Sequence, residues 1–293
     1  MSSVNATLAI DVGASKIAGA LIDSGYQILH ELVKPARQSL YGHADPDLTI
    51  TKEIITELIE LAKDNGIQVK NGGACFAEYV KPDQLLNSRD QIAWSAQPKD
   101  DFAELTGFSW VIESDVRAMA LAEANAAGLN DFLFVTVSSG ISHSLVINGK
   151  PWAGATGEAI GFGVTQIDNS QESPTLEQFS SGMGIARRYQ QAVSKDIDGA
   201  ETVFALYEKD PIVNEIIESA ANVLGKSLAV VVDYLDPEKI IIGGGLWLGS
   251  DIYRKLVIAS YETNAAKRRK APEIINSIGG VKAAVIGAAI AAN

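Results

Sequence analysis

Asp115 stands where a short apolar segment, residues 110–113, gives way to a run with Ala and Leu at helical spacing, residues 116–127. The pattern predicts a carboxylate at the carboxyl end of a strand. In open α/β sheets ligands gather at that edge, because its loops are free of sheet hydrogen bonding while the scaffold holds them rigidly. Downstream, 132–137 reads as a strand, Ser138-Ser139-Gly140 as a small-residue tip, and 144–147 as the returning strand before the turn Asn148-Gly149. Small residues let a backbone approach a phosphate closely, and hydroxyls with bare N–H groups bind its oxygens. One carboxylate beside one phosphate-sized nest suggests phosphoryl transfer to a hydroxyl. The same residues also suit a helix N-cap and an ordinary hairpin turn.

Other candidates fit the same chemistry. Asp11-Val12-Gly13-Ala14-Ser15-Lys16 lies between expected strands at 7–11 and 17–22 and presents a carboxylate, a flexible nest and a hydroxyl together. That set suits Mg²⁺ and nucleotide phosphates, since Mg²⁺ keeps its waters and touches few carboxylates; an Asx-type turn with a surface lysine is the other reading. Gly243-Gly244-Gly245 follows a buried strand at 239–242 and precedes a helix at 250–260, a phosphate- or adenosine-binding arrangement, although no Walker-type loop exists anywhere in the chain. Glu158, in the glycine-rich stretch 154–163, is a candidate for hydrogen-bonding a polyol. Trp94 closes a polar loop, 87–94, that leads toward the Asp115 edge. The single cysteine, Cys75, sits in an apolar run and is expected to be a buried, inert thiol. One cysteine and three scattered histidines, His30, His43 and His143, exclude an intramolecular disulfide and argue against a zinc site.

These groups need a scaffold, and 293 residues with 47% hydrophobic content suffice for two domains. The net charge of -12, from 24 basic against 36 acidic residues, argues against a surface built to neutralise nucleic acid or anionic lipid. The one dense basic run, Lys267-Arg268-Arg269-Lys270, reads as a solvated helix end. No apolar stretch reaches membrane-spanning length and the opening residues lack a leader pattern, so the expected location is cytoplasmic. Helices are expected at 48–65, ended by Gly66, and at 211–235, interrupted only by Gly225; a strand is expected at 72–80. The Ala-rich end, 279–293, with Gly287-Ala288-Ala289, predicts a close-packing helix. Two rounds of hairpin, helix and strand, each opening on a glycine-bearing hairpin, predict an internal duplication.

With these residues in view, the chain resembles the ROK family of repressors, open reading frames and sugar kinases, within the actin-like ATPase and hexokinase superfamily. Residues 11–16 resemble the family's Asp-x-Gly-Gly-Thr-Lys phosphate loop, and Glu113-Ser114-Asp115 through Glu123 its Glu-Asn-Asp helix start, whose Asp is the general base. Residues 136–141 with 146–150 resemble its glycine-rich hairpin. Leu176-Glu177 with Ser181-Gly182 resembles the segment carrying a sugar-binding Glu, and Asp236-Pro237 to Gly243-Gly244-Gly245, with Gly287-Ala288-Ala289, its tail. Departures accompany these matches. Ile160-Gly161-Phe162 stands where sugar kinases of the family carry Glu-Ile-Gly-His, the zinc knuckle is absent, and Glu158 aligns to the family's Glu only with a one-residue shift. Ala77-Glu78 stands in place of Pro-Gly, Asp90-Gln91 in place of the Asn-Leu loop that meets sugar, and Ser142-His143-Ser144 replaces a glycine triplet, which sets three side chains on the phosphate side.

The resemblance implies an α/β, two-lobed actin-like ATPase (ribonuclease H-like) fold with a central cleft. Its smaller lobe would be 1–112 completed by a helix at about 282–293, and its larger lobe 113–281. It implies an ATP- and Mg²⁺-dependent, zinc-free kinase acting on a hexose or N-acetylhexosamine, glucokinase-like, with Asp115 as general base. Asp11, Gly13, Ser15, Lys16, Ser138, Ser139, Gly140, Gly243, Gly244 and Gly245 would hold the nucleotide; Asn87, Gln91, Ser114, Glu158 and Glu177 would hold the sugar. A homodimer is implied, with no nucleic-acid or membrane partner, since no DNA-binding segment precedes Thr7. The alternative is a non-catalytic relative that senses a sugar or nucleotide.

Overall fold

The computed structural model describes residues 4–37, 42–93, 95–170, 172–265 and 271–293; Trp94 and the basic run at 267–270 lie outside the described residues. The chain forms two compact units, one of Met1–Leu129, Gly149–Ile160 and Val281–Asn293, the other of Asn130–Asn148 and Gly161–Gly280.

In the first unit, β1 (Val4–Val12) pairs antiparallel with β2 (Lys16–Asp23), which pairs antiparallel with β3 (Ile28–Pro35). Helix α1 (Thr49–Asp64) follows. Its Ile50, Ile54, Ile55, Leu58 and Ala62 recur at helical spacing and are all buried. Each of the large ones contributes about 1.5–3 kcal/mol by leaving water. Strand β4 (Ile67–Phe76) then lies parallel to β1, α2 (Pro98–Thr106) starts with Pro98, and β5 (Trp110–Ser114) lies parallel to β4. The sheet order is β3-β2-β1-β4-β5. Helix α3 (Asp115–Ala127) begins at the residue after β5 ends.

The second unit repeats the plan. Strand β6 (Phe132–Val137) pairs antiparallel with β7 (Ile141–Ile147). The helices α4 (Leu176–Ser180), α5 (Gly182–Val193), α6 (Gly199–Phe204) and α7 (Pro211–Leu235) precede β8 (Lys239–Gly243), which lies parallel to β6. Helix α8 (Gly245–Gly249), α9 (Asp251–Asn264) and β9 (Glu273–Asn276), parallel to β8, complete it. A hairpin whose first strand then takes two parallel neighbours in succession occurs in both units, as β1-β2 with β4 and β5 and as β6-β7 with β8 and β9. This is the expected internal duplication. The glycine inside α7 has a packing reason: a Cβ on Gly225 would sit 2.6 Å from the Val257 carbonyl oxygen of α9.

The last helix, α10 (Ala283–Ala291), belongs to the first unit and packs on α3, β1, β2, β4 and β5. It packs backbone to backbone, since a Cβ on Gly287 would lie 1.7 Å from the Ala118 carbonyl oxygen and one on Gly73 would lie 1.9 Å from that of Ala288. Residues 113–129 and 149–160, expected in the larger lobe, cluster instead with the first unit. The reason is local: α3 follows β5 with no intervening loop and shares its inner surface with α10. No described helix is long and apolar enough to cross a membrane.

Candidate active site

The sheet of the first unit brings two carboxylates and a thiol into one row. Asp11 of β1 pairs in register with Cys75 of β4, and Cys75 with Glu113 of β5. Residues in one row share a face of the sheet. The Cys75 thiol, fully buried, lies 3.6 Å from Asp11 Oδ1 and 3.5 Å from the Ala284 carbonyl oxygen of α10. Burial first, then the nearby Asp11, Asp115 and Glu113 carboxylates, hold the thiol well above its ordinary range, so it remains a neutral S–H donor, as its apolar run predicted.

Asp115 is the first residue of α3. The cap position itself is Ser114, whose side chain makes no capping bond, while Asp115 Oδ1 accepts the Val116 N–H at 2.6 Å. The carboxyl is half-buried, and its pKa is pushed up to about 7 by desolvation and then by the charge of Asp11. Asp11 is pushed up to about 6 by desolvation, opposed by the Cys75 hydrogen bond and the Lys16 charge. Two carboxyl groups raised toward neutrality in one unit mark this end of its sheet as a candidate site for proton transfer.

Glu78, 3% exposed, gathers the loop after β4: it accepts from Ser88 Oγ, from Asp90 N–H at 2.9 Å and from Gln91 N–H at 2.7 Å. Its charge also raises Asp115. In that loop Asn87 Nδ2 donates to Glu158 Oε1 at 2.8 Å and to the Thr156 carbonyl oxygen at 3.3 Å. Asn87 and Glu158, expected on the sugar side, are therefore together. The side-chain oxygens of Gln91 and Ser114 are buried with no hydrogen-bond partner among the described residues. Gly13, Ser15 and Lys16 form the turn between β1 and β2, closed by Gly13 N–H donating to the Lys16 carbonyl at 3.1 Å; Ser15 and Lys16 are exposed.

The second unit gathers the remaining nucleotide candidates. Ser138, Ser139 and Gly140 make the whole tip between β6 and β7, with Ser138 N–H donating to the Gly140 carbonyl at 2.8 Å. Gly244, at φ +95°, lies against β6, where a Cβ would be 2.4 Å from the Val137 carbonyl oxygen, and a Cβ on Gly245 would be 3.4 Å from Ser138 Oγ. Glu177, expected on the sugar side, is found beneath this tip: its Oε2 accepts the Ile141 N–H at 2.7 Å and occupies the space a Cβ on Gly140 would need. Strand β7 starts at Ile141, earlier than the expected 144, so Ser142, His143 and Ser144 belong to a strand and alternate between its faces. They are not three side chains crowding one phosphate side. His143 Nδ1 accepts the Phe162 N–H at 3.1 Å, and the two rings meet edge to face. Among the described residues no three His, Cys, Asp or Glu side chains are placed to hold a metal ion.

The ROK family model matches residues 7–293. The chain belongs to the ROK family. This ROK protein is 24% identical to the glucokinase of Streptomyces coelicolor over 97% of its own length and 96% of the relative's. It is 27% identical to the N-acetylmannosamine kinase of Shigella boydii over 83% and 84% of the two chains. Among solved structures, the ROK hexokinase of Thermus thermophilus superposes with a TM-score of 0.84 at 23% identity, covering 98% of this chain and 97% of that one. A ROK glucokinase of Streptomyces griseus, solved with glucose and AMPPNP, gives 0.78 at 22% identity over 98% and 99%. A ROK family transcriptional regulator gives 0.81 at 19% over 98% of this chain and 77% of the regulator. At these identities the structures carry the fold, which is the α/β actin-like ATPase fold.

Proposed function

We propose that this ROK protein is an ATP-dependent sugar kinase that transfers the γ-phosphoryl group to a hydroxyl of a hexose or N-acetylhexosamine, with Asp115 as general base. The observation that carries the proposal is the Asp115 carboxyl itself: half-buried at the start of α3, and raised to about 7 by desolvation and Asp11. A base poised near neutrality takes a hydroxyl proton efficiently, whereas an ordinary surface carboxylate near pH 4 is too weak. The glucokinase and N-acetylmannosamine kinase relatives support the acceptor class.

ATP with Mg²⁺, when bound, supplies the γ-phosphoryl group and the cationic charge that offsets its oxygens. The donor set fits such a group: among the described residues Asp11 meets a weak thiol donor and the Lys16 charge, and Gly245 lies against the Ser138 hydroxyl. In the first unit Asp11, Gly13, Ser15 and Lys16, and in the second Ser138, Ser139, Gly140 and Gly243 to Gly245, are each proposed as nucleotide-binding residues. Asn87, Gln91, Ser114 and Glu158 would hold the acceptor, and Glu177 would act on the phosphate tip by fixing Ile141. The proposal includes a cytoplasmic homodimer that needs no zinc; sedimentation and elemental analysis of the purified protein check assembly and metal.

The deciding experiment is ATP turnover with a panel of hexoses and N-acetylhexosamines. Turnover with one of them that disappears in Asp115→Asn upholds the proposal; binding of a sugar without turnover upholds a non-catalytic sensor, the second reading, which the likeness to a ROK transcriptional regulator and the departure at Ile160-Gly161-Phe162 favour.

A further inference from the structure

Two residues after Asp115, on the same helical turn, Arg117 is 1% exposed, an uncommon place for a guanidinium. Its hydrogen bonds explain the burial. Nε donates to Glu113 Oε1 at 2.6 Å, Nη2 to the Val80 carbonyl oxygen at 2.6 Å and Nη1 to the Gly157 carbonyl oxygen at 3.4 Å. One planar fork thus holds the end of β5, the segment after β4 and the glycine-rich segment before Ile160. Those last two segments also touch directly, since Gly157, at φ +87°, has no room for a Cβ: it would lie 2.2 Å from the Val80 carbonyl oxygen. Each segment carries one partner of the Asn87–Glu158 hydrogen bond, and the first also carries Glu78 with its three donors.

We propose that Arg117 is a positioning residue that registers the acceptor-side segments, 78–92 and 154–160, against the helix that begins with Asp115, and so sets acceptor affinity. This rests on the sugar-kinase reading for its kinetic consequence, but the mechanical coupling does not. The chemistry requires arginine: a lysine ammonium is a single point charge and cannot span a carboxylate and two carbonyls on separate segments. Asp115 gains nothing directly from Arg117, which spends its donors on Glu113 and two backbone oxygens. Loss of the fork should therefore loosen the acceptor side and leave the nucleotide side as it was.

The test is Arg117→Lys in the full chain, with the double variant Glu113→Gln/Arg117→Met to avoid leaving a partly buried carboxylate unpaired should the single variant fold poorly. We expect the acceptor KM to rise about tenfold, the equivalent of one lost hydrogen bond's worth of preorganisation, with the KM for ATP unchanged and kcat altered far less. Amide hydrogen exchange should quicken in 78–92 and 154–160 and stay unchanged in β6 and β7. A lowered melting temperature with acceptor KM and local exchange both unchanged would overturn the proposal and reduce Arg117 to a core ion pair. If wild-type protein turns over no sugar of the panel, the kinase reading fails separately, and the exchange pattern still decides the coupling.

Discussion

In the first hairpin Asp11, one residue before the end of β1, pairs with Cys75 of β4; in the second the same place in β6 is Thr136, and it pairs with Gly243 of β8. One topology has thus been given two chemistries. The strand ends of the first unit carry carboxylates, Asp11, Glu78, Glu113 and Asp115; burial raises Asp11 to about 6, and burial and then the charge of Asp11 raise Asp115 to about 7. The strand ends of the second unit carry hydroxyls and glycines, and the Glu177 carboxylate beside Gly140 is spent on the Ile141 N–H. Raised carboxyls suit proton transfer, and bare N–H groups with small residues suit an anion. The comparison teaches that one duplicated topology can present carboxylates in one unit and hydroxyls with glycines in the other.

The strongest way to break this division is to remove the proton acceptor. Asp115→Asn keeps the shape and the bond from Val116 N–H but cannot accept a proton, and general-base catalysis contributes roughly 10²–10⁴-fold. We expect kcat with the true acceptor to fall by about that factor, with sugar affinity by calorimetry nearly unchanged. Wild-type turnover in the variant would end the role assigned to the first unit.

A pair of glycine substitutions addresses the other half. Gly244→Ala meets both a positive φ and a carbonyl oxygen 2.4 Å from the new Cβ, so about 2–3 kcal/mol of strain and overpacking is expected, with a large loss of nucleotide affinity. Gly13→Ala in the first hairpin meets only the Lys16 carbonyl oxygen at 3.2 Å, with no positive φ, and should cost about 1 kcal/mol or less. Equal effects on melting and on ATP affinity would mean that the two hairpins depend on glycine alike.

The pH dependence sharpens the comparison next. Asp115 must be ionised to act, so kcat/KM should fall as pH drops through about 7, a limb absent if an ordinary carboxylate carried the reaction. Stability runs the opposite way. The folded state keeps a proton that the unfolded chain releases near pH 4, so ionisation costs stability progressively as pH rises from about 4 to about 7. The ceiling is about 4 kcal/mol, and less because the carboxyl is only half-buried. Asp115→Asn should therefore melt higher than wild type at pH 8 and equally at pH 4, which is checked by calorimetry at the two values.

Much of this division is legible in the sequence, because it rests on local signals. The 3.6-residue spacing in 48–65, the apolar run before Asp115 and the glycines after β8 predict elements at their places, and the repeated order predicts the duplication. Strand β3 gives a weak signal because none of its residues is fully buried; α2 has a proline start and an acidic first turn but a short apolar face. The site is less legible where it is built by contacts distant in sequence. Cys75 reaches Asp11 across 64 positions, Arg117 reaches Val80 across 37 and Gly157 across 40, and Glu177 reaches Ile141 across 36. No periodicity or turn chemistry signals those pairs. Glu78 has a faint signal, a carboxylate where the family has glycine, and its buried fit explains how the loop after β4 accepts the change.

The smallest expected effect tests whether Glu177 serves the second hairpin as a charge or only as an acceptor. Its Oε2 takes the Ile141 N–H at 2.7 Å, a charge-assisted bond at the first residue of β7. Glu177→Gln keeps an oxygen of the same shape, so only the charge assistance is lost, about 1 kcal/mol or less. Glu177→Ala leaves the N–H without that acceptor and opens space beside Gly140, at a cost of about 1–3 kcal/mol. If the hairpin is only held in shape, Gln should leave the KM for ATP within about threefold of wild type and Ala should raise it further, in step with the loss of melting temperature. A Gln variant as impaired in kcat as Asp115→Asn, with melting unchanged, would mean that the second unit also contributes a working carboxylate, and the division of charge between the halves would not hold.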